Sequence, residues 1–281
     1  MDFSDCSVPG CGDPDAAIGV FDSGVGGLTV LQELRRLLPQ ENLIYLGDTA
    51  RVPYGTKSAE TVQKYACEAA AFLVGKRVKM VVVACNTASS VALDLLREQL
   101  PVPVIGVIEP GASGAIRVSR SGIVGVIGTE GTVASDAYPQ ALRALNPEVQ
   151  VYSAPCPLFV PLAEEGWAQH QIAALAAQEY LAPLLAASID TLVLGCTHYP
   201  LLKPTLKQLL PTKVELVDSA WETAQMVWQI LQAGGMLNRT SSGEWQFFVT
   251  DVPRRFVRVG GAFLGADLAA VERVRLASAS V

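Results

Sequence analysis

The chain has 281 residues, of which 50% are hydrophobic, and its formal net charge is −6 at pH 7. No apolar stretch approaches the ~18 residues that cross a bilayer, and the nearest basic cluster, Arg254, Arg255 and Arg258, is too short for a nucleic-acid surface and indicates a solvated face. These features predict a soluble protein with a large core, in one large or two medium domains, that binds neither membrane nor nucleic acid.

The N-terminus is acidic and lacks the basic start and the apolar segment of a signal peptide. We therefore expect a cytoplasmic protein, in which thiols stay reduced and the six cysteines form no disulfides. Residues 1–15, rich in Gly, Pro and Asp, are predicted to be a mobile leader that contains Cys6 and Cys11. Cys67 falls on an apolar position of a predicted helix, where we expect a packed small hydrophobic residue.

Strand-length apolar runs alternate with helix-period patterns through the first hundred residues. A Gly-rich turn over 22–27 follows the first run, and Ser58 is the predicted N-cap of a later helix. Such alternation predicts an α/β fold, with parallel strands joined by crossover helices. The predicted strands are 16–21, 42–47, 78–84 and 104–107, and the predicted helices include one with Leu28, Leu31, Leu34 and Leu38 on one side and one over 87–99.

The second part of the chain repeats the first. IGVFDSG from Ile18 aligns with VGVIGTEG from Val124, an offset of 106 residues, and the strand-ending Cys85 and Cys196 are 111 residues apart. Two nearly equal offsets indicate an internal duplication, although βα units also resemble one another because they share packing rules. The duplication predicts two similar halves related by a pseudo-twofold axis, with a cleft between them.

The end of the chain is predicted to return to the first half. Ser219 to Glu222 has the pattern of a capping box, and an apolar helix follows to about Ala233, where two glycines stop it. Residues 244–250 and 271–276 are predicted strands with a short helix between them. We therefore expect a first domain of residues 16–108 plus 219–281, and a second domain of residues 109–218.

The sequence FDSGVGG invites comparison with the dinucleotide-binding fingerprint. That fingerprint needs a further glycine where this chain has Thr29, and an acidic residue at the end of the second strand, a few residues before Asp48. A tight turn that brings a small ligand against the backbone fits better, with Asp22 and Ser23 directed into the cleft. The alternative is that Asp22 only caps the helix that follows.

Cys85 and Cys196 occupy nearly the same local sequence, VVVACNTAS and TLVLGCTHYP. Each follows a buried-strand pattern, and the carboxyl ends of parallel strands are where open α/β sheets bind ligands. Polar side chains follow each cysteine, and we expect helix N-termini there to lower both thiol pKa values and to seat an anion. Two thiols facing one substrate predict a proton acceptor and a proton donor on opposite sides of one carbon.

Two other interpretations of these thiols remain open. Free cysteine is among the residues most often buried, so both could be inert core side chains. Cys85, Cys196 and His198 could also ligate a metal ion, although zinc sites usually have compact spacings such as Cys-x2-Cys. We favour thiol acid/base chemistry over an inert core role, because the Asn, Thr and His side chains beside the thiols are poor core fillers. We expect no metal, because the ligand spacing is not compact.

Six motifs occur in order along the chain: IGVFDSGVGGLTVL, YLGDTARVPYG, VVACNTAS, GVIEPG, VIGTEGT and LGCTHYPLL. Together they resemble the glutamate racemases of the aspartate/glutamate racemase superfamily, over residues 16–235. The resemblance implies two flavodoxin-like α/β domains with the active site between them. It also implies a homodimeric isomerase that interconverts L- and D-glutamate without a cofactor and serves peptidoglycan biosynthesis, cell wall biogenesis and cell shape.

The resemblance also assigns roles to individual residues. Cys85 and Cys196 match the two acid/base residues, the first acting on D-glutamate and the second on L-glutamate. Glu164 matches a glutamate near the site, although Glu165 beside it fits nearly as well. The remaining matches are Asp22 and His198, which assist catalysis and bind substrate, and the substrate-binding Ser23, Tyr54, Gly55, Asn86, Thr87 and Thr197, with Thr129 and Thr132 as further contacts.

Two rival functions are compatible with the sequence. Aspartate racemases and related racemases or decarboxylases of the same fold keep one or both cysteines, and the motifs DSGVGG, PYG and CTHYPLL favour glutamate. A non-catalytic amino-acid-binding module is the other rival, and it would bind its ligand without exchanging the α-hydrogen with solvent.

Overall fold

The computed structural model describes residues 12–240, 242–265, 268 and 270–277. These residues form two β-sheets, in which every pair of neighbouring strands is parallel. The first sheet consists of β1 (Ile18–Asp22), β2 (Leu43–Gly47), β3 (Met80–Val83), β4 (Val104–Gly106), β9 (Trp245–Val249) and β10 (Val271–Arg273). The second consists of β5 (Ile123–Gly128), β6 (Gln150–Pro155), β7 (Thr191–Gly195) and β8 (Glu215–Asp218).

Helices connect the strands, as the alternating pattern predicts. Short 3-10 turns at Tyr54–Thr56 and Tyr199–Leu202 follow the ends of β2 and β7. The α-helices are α1 (Leu28–Leu37), α2 (Ala59–Gly75), α3 (Asn86–Gln99), α4 (Ile108–Val118), α5 (Glu130–Ala134), α6 (Ala137–Leu145), α7 (Phe159–Glu164), α8 (Gln171–Ala186), α9 (Lys203–Leu209), α10 (Ser219–Ala233) and α11 (Pro253–Leu264).

The two sheets share one topology. The strand order is β10-β9-β2-β1-β3-β4 in the first sheet and β6-β5-β7-β8 in the second, so the unit β2-β1-β3-β4 recurs as β6-β5-β7-β8. This recurrence explains the nearly constant offset between the halves in the sequence. The α/β fold class is therefore confirmed, and β9 and β10 extend the first sheet, as expected for a chain end that returns to the first half.

Buried side chains form three clusters around the two sheets. One cluster contains residues of both sheets, Val20 and Tyr45 from the first and Val126 and Val193 from the second. The other two clusters each cover the opposite face of one sheet. The central strands are buried along their whole length, and for this reason they appear in the sequence as continuous apolar runs.

Several predicted boundaries need correction. Helix α10 begins at Ser219, but its N-cap is Asp218, whose carboxylate accepts the Ala220 N–H at 2.9 Å, so the capping-box interpretation is wrong. Glu222 instead forms an ion pair with Arg117 at 2.6 Å. Helix α11 has 12 residues rather than being short, and β10 is shorter than predicted.

The leader and the division into domains are two further predictions from the sequence. Residues 1–11, with Cys6 and Cys11, lie outside the described residues, and the domain division stays a prediction. In the described part of the chain, no helix is both long and apolar enough to cross a bilayer.

Candidate active site

The carboxyl ends of three central strands bring the predicted residues together. Strand β1 ends at Asp22, Cys85 follows β3, and Cys196 follows β7 of the other sheet. The start of α1 lies against the segment after β7, as shown by the Thr29 hydroxyl, which donates to the Thr197 carbonyl at 3.1 Å. The two sheets therefore meet where their strand ends carry thiols.

Cys85 is the N-cap residue of α3, and its Sγ lies 3.8 Å from the Ser23 Oγ. Burial, followed by the Asp22 carboxylate, raises the pKa of the Cys85 thiol to about 12, and the Ala88 N–H and the Ser23 hydroxyl lower it only in part. The prediction that the helix N-terminus lowers this pKa is therefore wrong. Desolvation outweighs the hydrogen bond that the first turn of α3 offers.

Cys196 has different neighbours. Its Sγ lies 3.9 Å from Nδ1 of His198, and a 3-10 turn follows it where we expected an α-helix. The other ring nitrogen, Nε2, lies 3.1 Å from Oε1 of Glu164. Burial alone would lower the pKa of His198, but hydrogen bonds to Cys196 and Glu164 and the nearby charges of Cys196 and Asp22 raise it to about 10. His198 therefore carries a positive charge at neutral pH.

Glu164, and not Glu165, contacts His198. Its second carboxylate oxygen, Oε2, accepts a hydrogen bond from Arg255 at 3.1 Å. The His198 hydrogen bond lowers the pKa of Glu164 despite partial burial, and the Arg255 charge adds to the effect. Glu165 is the exposed C-cap residue of α7.

Two buried polar atoms of the site have no hydrogen-bond partner among the described residues, Oδ1 of Asp22 and Nδ2 of Asn86. The other oxygen of Asp22 accepts the Gly24 N–H at 2.9 Å, and Oδ1 of Asn86 accepts the Tyr138 hydroxyl at 2.8 Å. Burial raises the pKa of Asp22, while the His198 charge and three backbone N–H groups lower it. Buried polar atoms without a partner indicate a place for a polar ligand.

Three hydroxyl groups meet between the halves. Oγ1 of Thr87 lies 2.9 Å from Oγ1 of Thr129 and 3.3 Å from that of Thr132, and the latter two are 3.0 Å apart. Gly55 packs on Thr129 so closely that a Cβ would lie 2.7 Å from the Thr129 Cβ. The predicted substrate residues from α3, the 3-10 turn and α5 thus form one wall.

Tyr54 is placed differently from the other predicted substrate residues. Its side chain is buried, and its hydroxyl donates to Oδ2 of Asp48 at 2.5 Å. Burial and the Asp48 carboxylate raise the pKa of Tyr54 well above its usual value. The Tyr54 hydroxyl therefore already has a partner within the protein, and a role of Tyr54 in substrate binding stays a prediction.

Sequence reasoning missed three residues that support the site. Asp48 follows β2 directly, so the same strand-end signal that identified Asp22 marks it. Arg255 was expected on a solvated face and is 59% exposed, yet its guanidinium contacts Glu164. The ring of Phe263 of α11 is nearly perpendicular to the His198 ring, with centroids 5.3 Å apart. No local signal identifies the last two, because both contacts depend on how α11 packs.

A metal site was the alternative for these cysteines. Among the described residues, no group of three or more His, Cys, Asp or Glu side chains is arranged to hold a metal ion. Cys85, Cys196 and His198 therefore do not form such a group.

The fold and the site together define a class of α/β proteins: two parallel sheets of one topology, each with a buried cysteine that follows a central strand. The family model for Asp/Glu/Hydantoin racemases matches residues 18–227, so the chain belongs to the Asp/Glu/Hydantoin racemase family.

Individual relatives agree with this assignment. The chain is 58% identical to a glutamate racemase of Geobacter metallireducens, over 94% of this chain and 98% of the relative. It is 51% identical to a glutamate racemase of Syntrophus aciditrophicus, over 92% of this chain and 96% of the relative. The crystal structure of glutamate racemase from Francisella tularensis in complex with D-glutamate superposes with a TM-score of 0.89 at 43% identity, covering 95% of this chain and all of that one. The crystal structure of glutamate racemase from Thermus thermophilus in complex with beta-chloro-D-alanine superposes with a TM-score of 0.85 at 50% identity, covering 93% of this chain and 98% of that one.

Proposed function

We propose that this chain is a cofactor-independent glutamate racemase, which interconverts L- and D-glutamate by proton transfer at Cys85 and Cys196. The observation that carries the proposal is the pair of strand-end thiols, each 5% exposed and each with a different polar partner. The glutamate racemases among the relatives support glutamate as the substrate.

The charges around the two sulfurs give them different starting roles. Cys85 holds its proton at neutral pH, because burial and the Asp22 carboxylate raise its pKa to about 12. Cys196 lies beside the His198 imidazolium, whose pKa is about 10. The resting site therefore holds a proton donor at Cys85, and the family resemblance makes Cys196 the opposing base.

Racemisation follows from two balanced proton transfers. The Cys196 thiolate takes the α-proton of L-glutamate, and the bonding pair of electrons stays on the α-carbon. The Cys85 thiol then gives its proton to the opposite face of that carbon, which yields D-glutamate, a Cys196 thiol and a Cys85 thiolate. The reverse reaction starts from that state. The assignment of L-glutamate to Cys196 rests on the family resemblance.

The unpartnered polar atoms fit an amino acid. Oδ1 of Asp22 can accept a hydrogen bond from an ammonium group, and Nδ2 of Asn86 can donate one to a carboxylate. The hydroxyl groups of Thr87, Thr129 and Thr132 supply further donors. Donors fixed near the α-carboxylate would also stabilise the charge that builds there as the α-proton leaves.

We extend the proposal to the setting of the enzyme, a cytoplasmic homodimer that supplies D-glutamate for peptidoglycan, as the family resemblance implies. We also propose the division into residues 16–108 plus 219–281 and residues 109–218. The strand sets support this division, because β5 to β8 all fall within the second range and the remaining six strands within the first.

The test is incubation of the pure protein with L-glutamate, and separately with L-aspartate, in deuterated water without added cofactor. We expect loss of optical activity and deuterium at the α-carbon for glutamate alone. Exchange with aspartate alone would overturn the substrate assignment. Binding of glutamate without any α-deuteration would overturn the racemase and favour the non-catalytic binding module.

A further inference from the structure

Helix α11 reaches from the first sheet to an element of the second. It packs against α1 and β10, whereas α7, which carries Glu164, packs against α8 and the 3-10 turn after β7. The Nη2 atom of Arg255 donates to Oε2 of Glu164 at 3.1 Å, and this contact joins the two sides.

The ion pair is the outer end of a chain of contacts that leads to a catalytic sulfur. The Glu164 carboxylate uses one oxygen for Arg255 and the other for Nε2 of His198, also at 3.1 Å. The opposite ring nitrogen of His198 lies 3.9 Å from the Cys196 Sγ. A carboxylate held at both oxygens has little freedom to turn, so Arg255 restricts the orientation of the group that orients the imidazole.

We propose that Arg255 is a positioning residue, which holds the Glu164 carboxylate against His198 and thereby fixes the imidazole beside the Cys196 sulfur. The inference deepens the proposed function and rests on it for the role of Cys196, but the contact chain itself does not depend on the reaction. Arg255 touches neither sulfur and acts only through Glu164.

Exposure decides which measurement can detect this role. Arg255 is 59% exposed, and an exposed ion pair by itself adds little to stability. The side chains of Glu164 and His198 are 23% and 8% exposed. A change in the position of the Glu164 carboxylate therefore acts on a buried imidazole ring. Among the described residues, the charged or titratable groups that act most on His198 are Cys196, Glu164 and Asp22. Loss of Arg255 is therefore expected to change the ionisation of His198 more than the stability of the fold.

Histidine NMR tests the proposal directly, because the chain has only two histidines. The imidazole ¹⁵N signals of His198 and of the exposed His170 are titrated in the full-length protein, with His170 as internal reference. In Arg255→Gln we expect the pKa of His198 to fall by about half a unit, roughly a threefold change in its ionisation constant. The His170 signal should be the same in both proteins. Arg255→Lys should keep most of the wild-type pKa of His198, because it keeps the positive charge beside Glu164.

Matched variants separate a positioning role from a general effect of charge. Arg254→Gln removes a neighbouring exposed cation that forms no ion pair with any residue the structure describes, and it should leave His198 unchanged. Glu164→Gln should lower the His198 pKa as well, and adding Arg255→Gln to it should change nothing further. An unchanged His198 titration in Arg255→Gln, or equal effects of Arg254→Gln and Arg255→Gln, would overturn the proposal.

Activity gives a second, separate readout. We expect kcat/KM for glutamate to fall about threefold in Arg255→Gln, with its alkaline limb moved to lower pH. If the protein proved not to racemise glutamate, the NMR result would still stand as a test of the contact chain. Failure of the proposed function and failure of this inference are therefore distinguishable.

Discussion

Gly26, in the turn after β1, lies directly against the segment that carries Cys196. A Cβ on Gly26 would be 2.5 Å from Nδ1 of His198 and closer still to Oγ1 of Thr197. The glycine is therefore required by a close approach between the two halves of the site. The approach also explains why a sequence with three glycines in this turn need not bind a dinucleotide.

Gly26→Ala should consequently disrupt the site. We expect a loss of about 1–3 kcal/mol in the free energy of unfolding, typical of overpacking, and at least a tenfold loss of kcat/KM, roughly 1.4 kcal/mol. Urea unfolding and racemase kinetics measure the two effects. Gly75→Ala is the matched control, because a Cβ there would have no neighbour within 4 Å. Equal behaviour of the two variants would mean that Gly26 is not confined by the opposite half.

Replacing either thiol should stop racemisation. Cys85→Ala and Cys196→Ala each remove one of two acid/base groups, and we expect a loss of activity of about a thousandfold, within the range for such groups. Each variant should still process one enantiomer of a substrate analogue that carries a leaving group, because one thiol suffices to take a proton. Cys67→Ala, which removes a thiol on α2, should keep full activity. Full racemisation by Cys196→Ala would refute the two-base scheme.

The elements of the fold were predictable because buried parallel strands give continuous apolar runs, and the rule that ligands bind at strand ends located Asp22, Cys85 and Cys196. The pKa of Cys85 was not predictable, since it depends on how completely the fold excludes water from that sulfur. Contacts between residues far apart in the sequence could not be predicted either. Tyr138 donates to Asn86, 52 positions away, and Arg255 donates to Glu164, 91 positions away. Periodicity and motifs carry no signal for such pairs.

Alkaline pH should destabilise the fold through His198. Its pKa is about 10 in the folded protein and about 6.5 unfolded, so the folded state binds more protons between these values. The stabilisation is therefore complete below pH 6.5 and is lost as the pH rises through 10. Cys85, raised from 9.0 to about 12, acts in the same direction at higher pH.

Chemical denaturation between pH 6.5 and 10 measures this dependence. We expect the free energy of unfolding to fall with pH by at most about 1.4 kcal/mol per pH unit from this one proton. His198→Gln should flatten the slope, whereas His170→Gln, at an exposed position, should keep it. A wild-type slope that is flat over this range, or one unchanged in His198→Gln, would show that His198 does not hold its proton as the structure indicates.

Far from the thiols, the buried ion pair of Lys79 and Glu41 should be a main determinant of stability. Lys79 precedes β3 and Cys85 follows it, so the ion pair lies at the amino end of the strand and the thiol beyond its carboxyl end. The Lys79 ammonium lies 2.6 Å from Oε2 of Glu41 and also donates to the carbonyls of Pro14 and Met236, at 2.6 and 2.9 Å. The other Glu41 oxygen accepts the Asn238 N–H at 2.8 Å. Lys79 thus connects segments that precede three strands of the first sheet, β1, β2 and β9.

Lys79→Met should leave the Glu41 carboxylate buried without its cation, at a cost of about 3–5 kcal/mol in the free energy of unfolding. The double variant Lys79→Met/Glu41→Gln should recover part of that loss, because it removes the uncompensated charge. Lys64→Met, at an exposed position of α2, is the control and should change stability by less than about 0.5 kcal/mol. The folded fraction of Lys79→Met should racemise glutamate at the normal rate, since the pair is remote from both sulfurs. A double variant less stable than Lys79→Met would mean that Glu41 stabilises the fold through Asn238 rather than through the ammonium.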